Sequence, residues 1–271
     1  MYSKNDIIGA LSSIGAPRGR IVVVHSAFSL VGEVQGGPRG FLDALIEYFT
    51  ADGGVLCIPT HTWGLLGKTD ITLDLGDSYT NLGILAKIAI LHESGERSEN
   101  PTHSMVLFGE KERVNKLVEC EKWVNTPTSP DGLFGQVYKE KGKILLIGVS
   151  HTSNTYIHFV DEILGTEGRM EKEPLSLKVR RKNGEIIPRI IYMYDETNGD
   201  ISRRFDKFST AFSYHGATVY GRIGDAPSIL CDAVKIKEVM ELIYKRAAGE
   251  DILADNNCVL PNLFKEVLKK R

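Results

Sequence analysis

The sequence predicts an α/β fold: a three-layer αβα sandwich around a central, mainly parallel sheet, with a small β-hairpin lobe. Three continuous apolar runs, 20–24, 54–58 and 143–149, carry that expectation. Such runs suit strands buried on both faces, and each is followed by a polar cluster and then a helical pattern. A fourth stretch, 174–194, alternates in character and contains Asn183-Gly184, a strong short signal for a hairpin.

The elements follow in order. Ile7, Ile8, Leu11 and Ile14 recur at helical spacing within 3–16, with Ser3 placed to cap. The first apolar run ends at His25-Ser26. A glycine-rich loop from Gly32 to Gly37 then leads into a helix at about 38–49, with Pro38 in its first turn. The second run ends at Pro59-Thr60-His61-Thr62, and residues 64–80 read as loop. Helices are expected over 82–94 and 111–121, with a short strand-like stretch at 105–108 between them. The third run ends at Ser150-His151-Thr152-Ser153-Asn154-Thr155, and Ser153 is placed to cap a helix to about Leu164. Beyond the hairpin, 232–248 and 261–270 are helical and charged.

With 271 residues, the chain suits one domain spanning 1–271 that buries a full core, its β-containing lobe at about 168–215. The formal net charge of −2 argues against a nucleic-acid partner, which calls for a basic excess. No apolar stretch approaches the ~18 residues of a membrane span, and no secretory h-region opens the chain. A cytoplasmic protein without a membrane partner is therefore expected, and a homodimer is left open. Cys57, Cys120, Cys231 and Cys258 form no CxxC pair and read as reduced core thiols.

The three polar strand ends are where chemistry is expected. In open α/β sheets ligands bind beyond the carboxyl ends of the strands, so the three clusters should converge on one crevice. Four of the seven histidines, His25, His61, His151 and His158, fall at or just after these ends. His158 is the candidate base, since Asp161 three residues later shares its helix face and a carboxylate can hold an imidazole tautomer. A surface His–Asp pair is the plainer reading of that spacing, and Glu162 is the alternative partner. Glycines before the second helix suit close approach of phosphate to a helix N-terminus, or form a plain turn. There is no GxSxG elbow, and no HExxH or other spacing distinctive of zinc, so no metal is expected.

Taken together, several segments resemble the aminoglycoside 3-N-acetyltransferase family. Val24-His-Ser-Ala-Phe-Ser-Leu-Val-Gly32 with Gly36-Gly37 resembles its coenzyme A loop, and Gly54-Val-Leu-Cys-Ile-Pro-Thr-His-Thr62 its second strand. Arg97-Ser-Glu-Asn-Pro-Thr-His-Ser104, Ser129-Pro-Asp-Gly-Leu-Phe134, and Leu146 to His158 with Asp161 are similar to later motifs of the same family. The resemblance implies an acetyl-CoA-dependent N-acetyltransferase, with His158 the general base, Asp161 its orienting carboxylate and Thr60 near the thioester. It further implies that His25, Ser26, Val31, Gly32, Gly36 and Gly37 contact coenzyme A, and that His103, Asn154 and Glu162 line the acceptor site. The acceptor would be a small-molecule amine, foremost the 3-amino group of an aminoglycoside, attacking directly in a ternary complex. The alternatives are a metal-dependent hydrolase built on the histidines and a non-catalytic coenzyme A-binding relative.

Overall fold

The computed structural model describes residues 1–197, 199–247 and 251–253; the expected helix at 261–270 and Cys258 lie outside them. Ten strands are present among these residues: β1 (Ile21–Ser26), β2 (Val55–Pro59), β3 (Leu73–Asp74), β4 (Glu96–Arg97), β5 (Met105–Phe108), β6 (Lys143–Ile147), β7 (Leu175–Arg180), β8 (Ile186–Ile191), β9 (Thr218–Ile223) and β10 (Ala226–Asp232). The α-helices are α1 (Lys4–Ser13), α2 (Gly37–Thr50), α3 (Ile84–Ile90), α4 (Lys111–Glu119), α5 (Leu133–Lys139), α6 (Tyr156–Ile163), α7 (Ser209–Tyr214) and α8 (Ala233–Ala247).

Seven strands form the main sheet in the order β4-β5-β2-β1-β6-β10-β9. Its centre is parallel, with β1 between β2 and β6, and antiparallel strands extend it on both sides. Alternate residues of one strand feed two separate cores, as the period-2 geometry of a strand requires. Ile21 and Val23 pack with α4, α5, α6, α7 and α8, whereas Val22 and Val24 pack with α1, α2 and α3. This is the three-layer arrangement expected, with helices on both faces and the parallel part confined to the three runs that announced it.

Local chemistry fixes the helix starts. Ser3 and Asp6 close a capping box on α1. Gly36 caps α2 at φ +77°, a left-handed conformation that glycine adopts without a Cβ penalty. Ser153 does not cap α6. It ends a short 3-10 turn over His151–Ser153, and Thr155 precedes the helix without a side-chain cap. Helix α3 is shorter than expected because the imidazole of His92 turns back onto the backbone N–H of Ser94 (3.2 Å).

A second sheet joins β3, β7 and β8. Arg181 and Glu185 close the β7–β8 hairpin (2.8 Å), with Gly184 at φ +86° in its turn. The lobe is narrower than 168–215, because Ile201, Phe205, Phe208 and Phe212 are buried in the main core. Strands β9 and β10, to which the sequence pattern assigned nothing, meet at the two-residue turn Gly224-Asp225. Cys57 and Cys231 are buried free thiols whose pKa burial pushes up, and Cys120 is a half-buried one.

Candidate active site

Because β2, β1 and β6 run parallel as neighbours, His25-Ser26, Thr60-His61-Thr62 and the His151 turn leave the sheet along one edge. Five buried side-chain atoms here have no hydrogen-bond partner among the described residues: His25 Nε2, Ser26 Oγ, His61 Nε2, His151 Nε2 and Asn154 Oδ1. Buried polar groups are ordinarily satisfied, so this concentration makes the edge a candidate ligand site. His25 and Ser26 share a cavity of about 100 Å³ with Ile58, Leu85, Val149 and Ser153.

A row of rings connects this edge to α6. His61 and His103 lie 4.3 Å apart between centroids, and His103 meets Tyr194 edge-on at 5.5 Å. Tyr194 stacks on His158 at 3.9 Å with 10° between planes, and Phe205 closes the other side at 4.8 Å. The strand ends, the 100–104 loop, the segment after β8 and helix α6 thus meet around His158. His103 Nδ1 is 2.9 Å from the Thr102 hydroxyl, and Asn154 donates to His151 Nδ1 (3.2 Å).

Burial disfavours the charged imidazole. It lowers His25 and His151 to about 4 and His103 and His158 to about 3, with Arg169 adding to the effect at His158. His61 is also held well below its ordinary value, by burial and by His103. Below the ordinary value of 6.5 the unfolded chain binds protons that the folded chain refuses, so these histidines destabilise the fold as pH drops through 6.5 toward 4. Glu121 and Asp161 oppose this, since burial raises them to about 7 and about 6 and lets the folded state take protons first. The histidines outnumber them, so Tm should fall as pH is lowered from 7 to 5, with net proton uptake on unfolding. A flat Tm over that interval would contradict buried, neutral imidazoles.

Several residues expected at the site have their polar groups engaged by neighbours in the fold or sit against them. Asp161 is not oriented toward His158. Its carboxylate accepts from Tyr244 and from Thr166 (3.5 Å) and faces Arg169 Nε at 3.4 Å, drawn to α8 by partners distant in sequence. The Thr60 hydroxyl is fully buried and lies 3.0 Å from both the carbonyl and the hydroxyl of Ser104, so it is not presented to a ligand. Val31 is buried, and both its backbone groups are used, the N–H by Phe28 and the carbonyl by Asp225 (2.9 Å each). Gly32 sits against the Asp225 carboxylate, where a Cβ would overlap it, and that negative charge is a poor neighbour for phosphate. Gly36 and Gly37, both at positive φ, remain at the open start of α2.

Glu162 is tied to the His158 surroundings indirectly. It accepts from Thr126 (2.6 Å) and Thr128 (3.1 Å), and Tyr194 donates to Thr128 (3.1 Å). Tyr194 and Phe205 were not apparent from sequence, since neither lies in a local motif. Arg97 stood in a motif without a role. It donates to the carbonyls of Thr60 (2.9 Å), Tyr79 (3.0 Å) and Asp77 (3.2 Å), strapping the 60–81 loop beside the site. That loop walls a cavity of about 290 Å³ lined by Thr62, Asp70, Asp74, Asp77 and Tyr79. No group of three or more His, Cys, Asp or Glu among the described residues is arranged to hold a metal ion. No described helix is long and apolar enough to cross a membrane.

Comparison with known proteins identifies the family and the fold. The sequence profile of the family described as aminoglycoside 3-N-acetyltransferase matches residues 23–244. A Salmonella protein, aminoglycoside N(3)-acetyltransferase IV, is 26% identical over 160 residues. That alignment covers 59% of this chain and 59% of the relative, so the match spans about three fifths of the relative's length. Among solved structures, a mutant of aminoglycoside acetyltransferase AAC(3)-IVa in complex with a gentamicin superposes with a TM-score of 0.75 at 20% identity, covering 93% of this chain and 90% of the other. The binary complex of AAC-IIIb with CoASH superposes with a TM-score of 0.74 at 19% identity, covering 91% and 97%. Likeness at these identities is likeness of fold.

Proposed function

The chain belongs to the aminoglycoside 3-N-acetyltransferase family, and on that premise we propose that it transfers an acetyl group from acetyl-CoA to an amine, with His158 as general base. The observation that carries this reading is the convergence of five unpartnered buried polar atoms with His158 at the carboxyl edge of the parallel strands. Relatives of the same fold bind CoASH in one case and a gentamicin in another. The donor set fits the co-substrate. His25, Ser26 and Ser153 line a narrow, largely apolar cavity suited to a pantetheine arm, whereas the α2 N-terminus offers phosphate little, since the Gly37 N–H donates to the Val34 carbonyl (2.9 Å) and Pro38 has no N–H.

Bound acetyl-CoA would supply the acyl group as a thioester. An amine attacks a carbonyl only through a free lone pair, so an ammonium must first lose one proton; the attacking nitrogen sheds a second as the N–C bond forms and the C–S bond breaks. We assign His158, neutral above about pH 3, to take the second of these protons from the attacking nitrogen and pass it to the released thiolate, while the first leaves to solvent. The polar atoms of the edge fix the two substrates side by side, which supplies the proximity contribution. Without a GxSxG nucleophile, direct attack in a ternary complex is the simplest course.

Asp70 and Asp77 in the wall of the cavity of about 290 Å³ support a cationic acceptor of the aminoglycoside class; Asp74 beside them is already paired with Arg180 (2.9 Å). Initial velocities measured while both substrates vary should give intersecting double-reciprocal lines. Parallel lines would show a covalent acyl-enzyme and overturn direct attack.

A further inference from the structure

The ring stacked on His158 comes from outside every motif. Tyr194 follows the β8 strand, and its backbone is held beside residues 169–171 by a bridge to Met170, by Glu171 N–H donating to Met193 (2.8 Å) and by Asp195 N–H donating to Arg169 (3.0 Å). The lobe therefore delivers this side chain on a backbone pinned at both flanks. The ring lies nearly parallel to the imidazole, stacked at 3.9 Å, while Phe205 meets it at 68°. An imidazole confined in this way keeps one plane and meets a reactant through its edge. The hydroxyl reaches Thr128 (3.1 Å), which donates to Glu162 (3.1 Å), itself one residue after Asp161 on the same helix as His158.

We propose that Tyr194 is a positioning residue: it fixes the plane of the His158 ring and couples that ring, through Thr128, to the Glu162 carboxylate. The role rests on the reading of His158 as base, and it gives the lobe a catalytic purpose. It also explains why Glu162, with no bond to His158 of its own, is held by two threonine hydroxyls.

Two variants and two readouts test this. Tyr194→Leu removes the stack, and Tyr194→Phe keeps it while cutting the bond to Thr128. Loss of the stack should lower kcat about 30-fold by misplacing the base, with KM for acetyl-CoA unchanged within about two-fold. It should also rehydrate the imidazole, so that its NMR titration moves up toward 6.5 despite Arg169, His103 and His61 nearby. Tyr194→Phe should lose only about 3- to 5-fold, as expected for one hydrogen bond, with the titration close to wild type. If Tyr194→Leu fails to fold, a Thr128→Val variant with the same small kcat loss as Tyr194→Phe supports the coupling, and unchanged kcat in both overturns it. Wild-type kcat together with an unmoved titration in Tyr194→Leu would overturn the proposal. The titration needs no turnover, so if His158→Ala were to keep activity, the base assignment would fall while the titration still decides whether Tyr194 holds the ring.

Discussion

Replacing His158 with alanine should lower kcat by about 10²–10⁴-fold, the range of a lost general base, while binding of coenzyme A changes little. The co-substrate is proposed to lie against His25 and Ser26, on another element than α6. The ring of His158 fills the space between Tyr194 and Phe205, so the variant should also lose some stability. Coenzyme A affinity by calorimetry separates the two effects, because a collapsed site would lose binding and turnover together. Turnover within a few-fold of wild type would remove His158 from the mechanism.

The second large effect falls on stability. Arg169 and Asp161 face each other with side chains 6% and 1% exposed, and Arg169 also holds Asp251 at 2.7 Å. Removing one partner of a buried pair leaves the other uncompensated, at a cost of about 3–5 kcal/mol. Arg169→Met should destabilise by that order in urea unfolding at pH 8. Burial already raises the Asp161 carboxyl to about 6, against the pull of Arg169. Without the arginine it rises further, so at pH 5 the group is neutral in the folded state and the loss is smaller. A cost under about 1 kcal/mol at pH 8 would mean that Tyr244 and Thr166 satisfy Asp161 on their own.

What the sequence disclosed follows from where the deciding forces are local. The runs 20–24, 54–58 and 143–149 are apolar on both faces, and that pattern alone implies a covered parallel sheet with polar residues at its exits. His25, His61, His151 and Asn154 were readable for the same reason, because a strand end is a place as well as a pattern. The partner of His158 was not. Spacing of three residues puts Asp161 on the same side of a helix, but which neighbour it meets is decided by Tyr244, 83 residues away. Val31, Gly32 and Thr60 matched motifs, yet Asp225 takes the carbonyl of Val31 and crowds Gly32, and Ser104 takes the hydroxyl of Thr60. Tyr194 left no trace in periodicity, since its place is set by the path of the chain after the hairpin. Strands β9 and β10 were obscured by Gly221 and Pro227, which interrupt a strand pattern.

The measurement that bears most directly on the central claim is release of free thiol from acetyl-CoA by the purified protein, across a panel of aminoglycosides and simple amines. Rapid release with at least one aminoglycoside, abolished by His158→Ala, is the predicted result. Silence with every amine, while coenzyme A still binds, would contradict a transferase and leave a non-catalytic coenzyme A-binding protein.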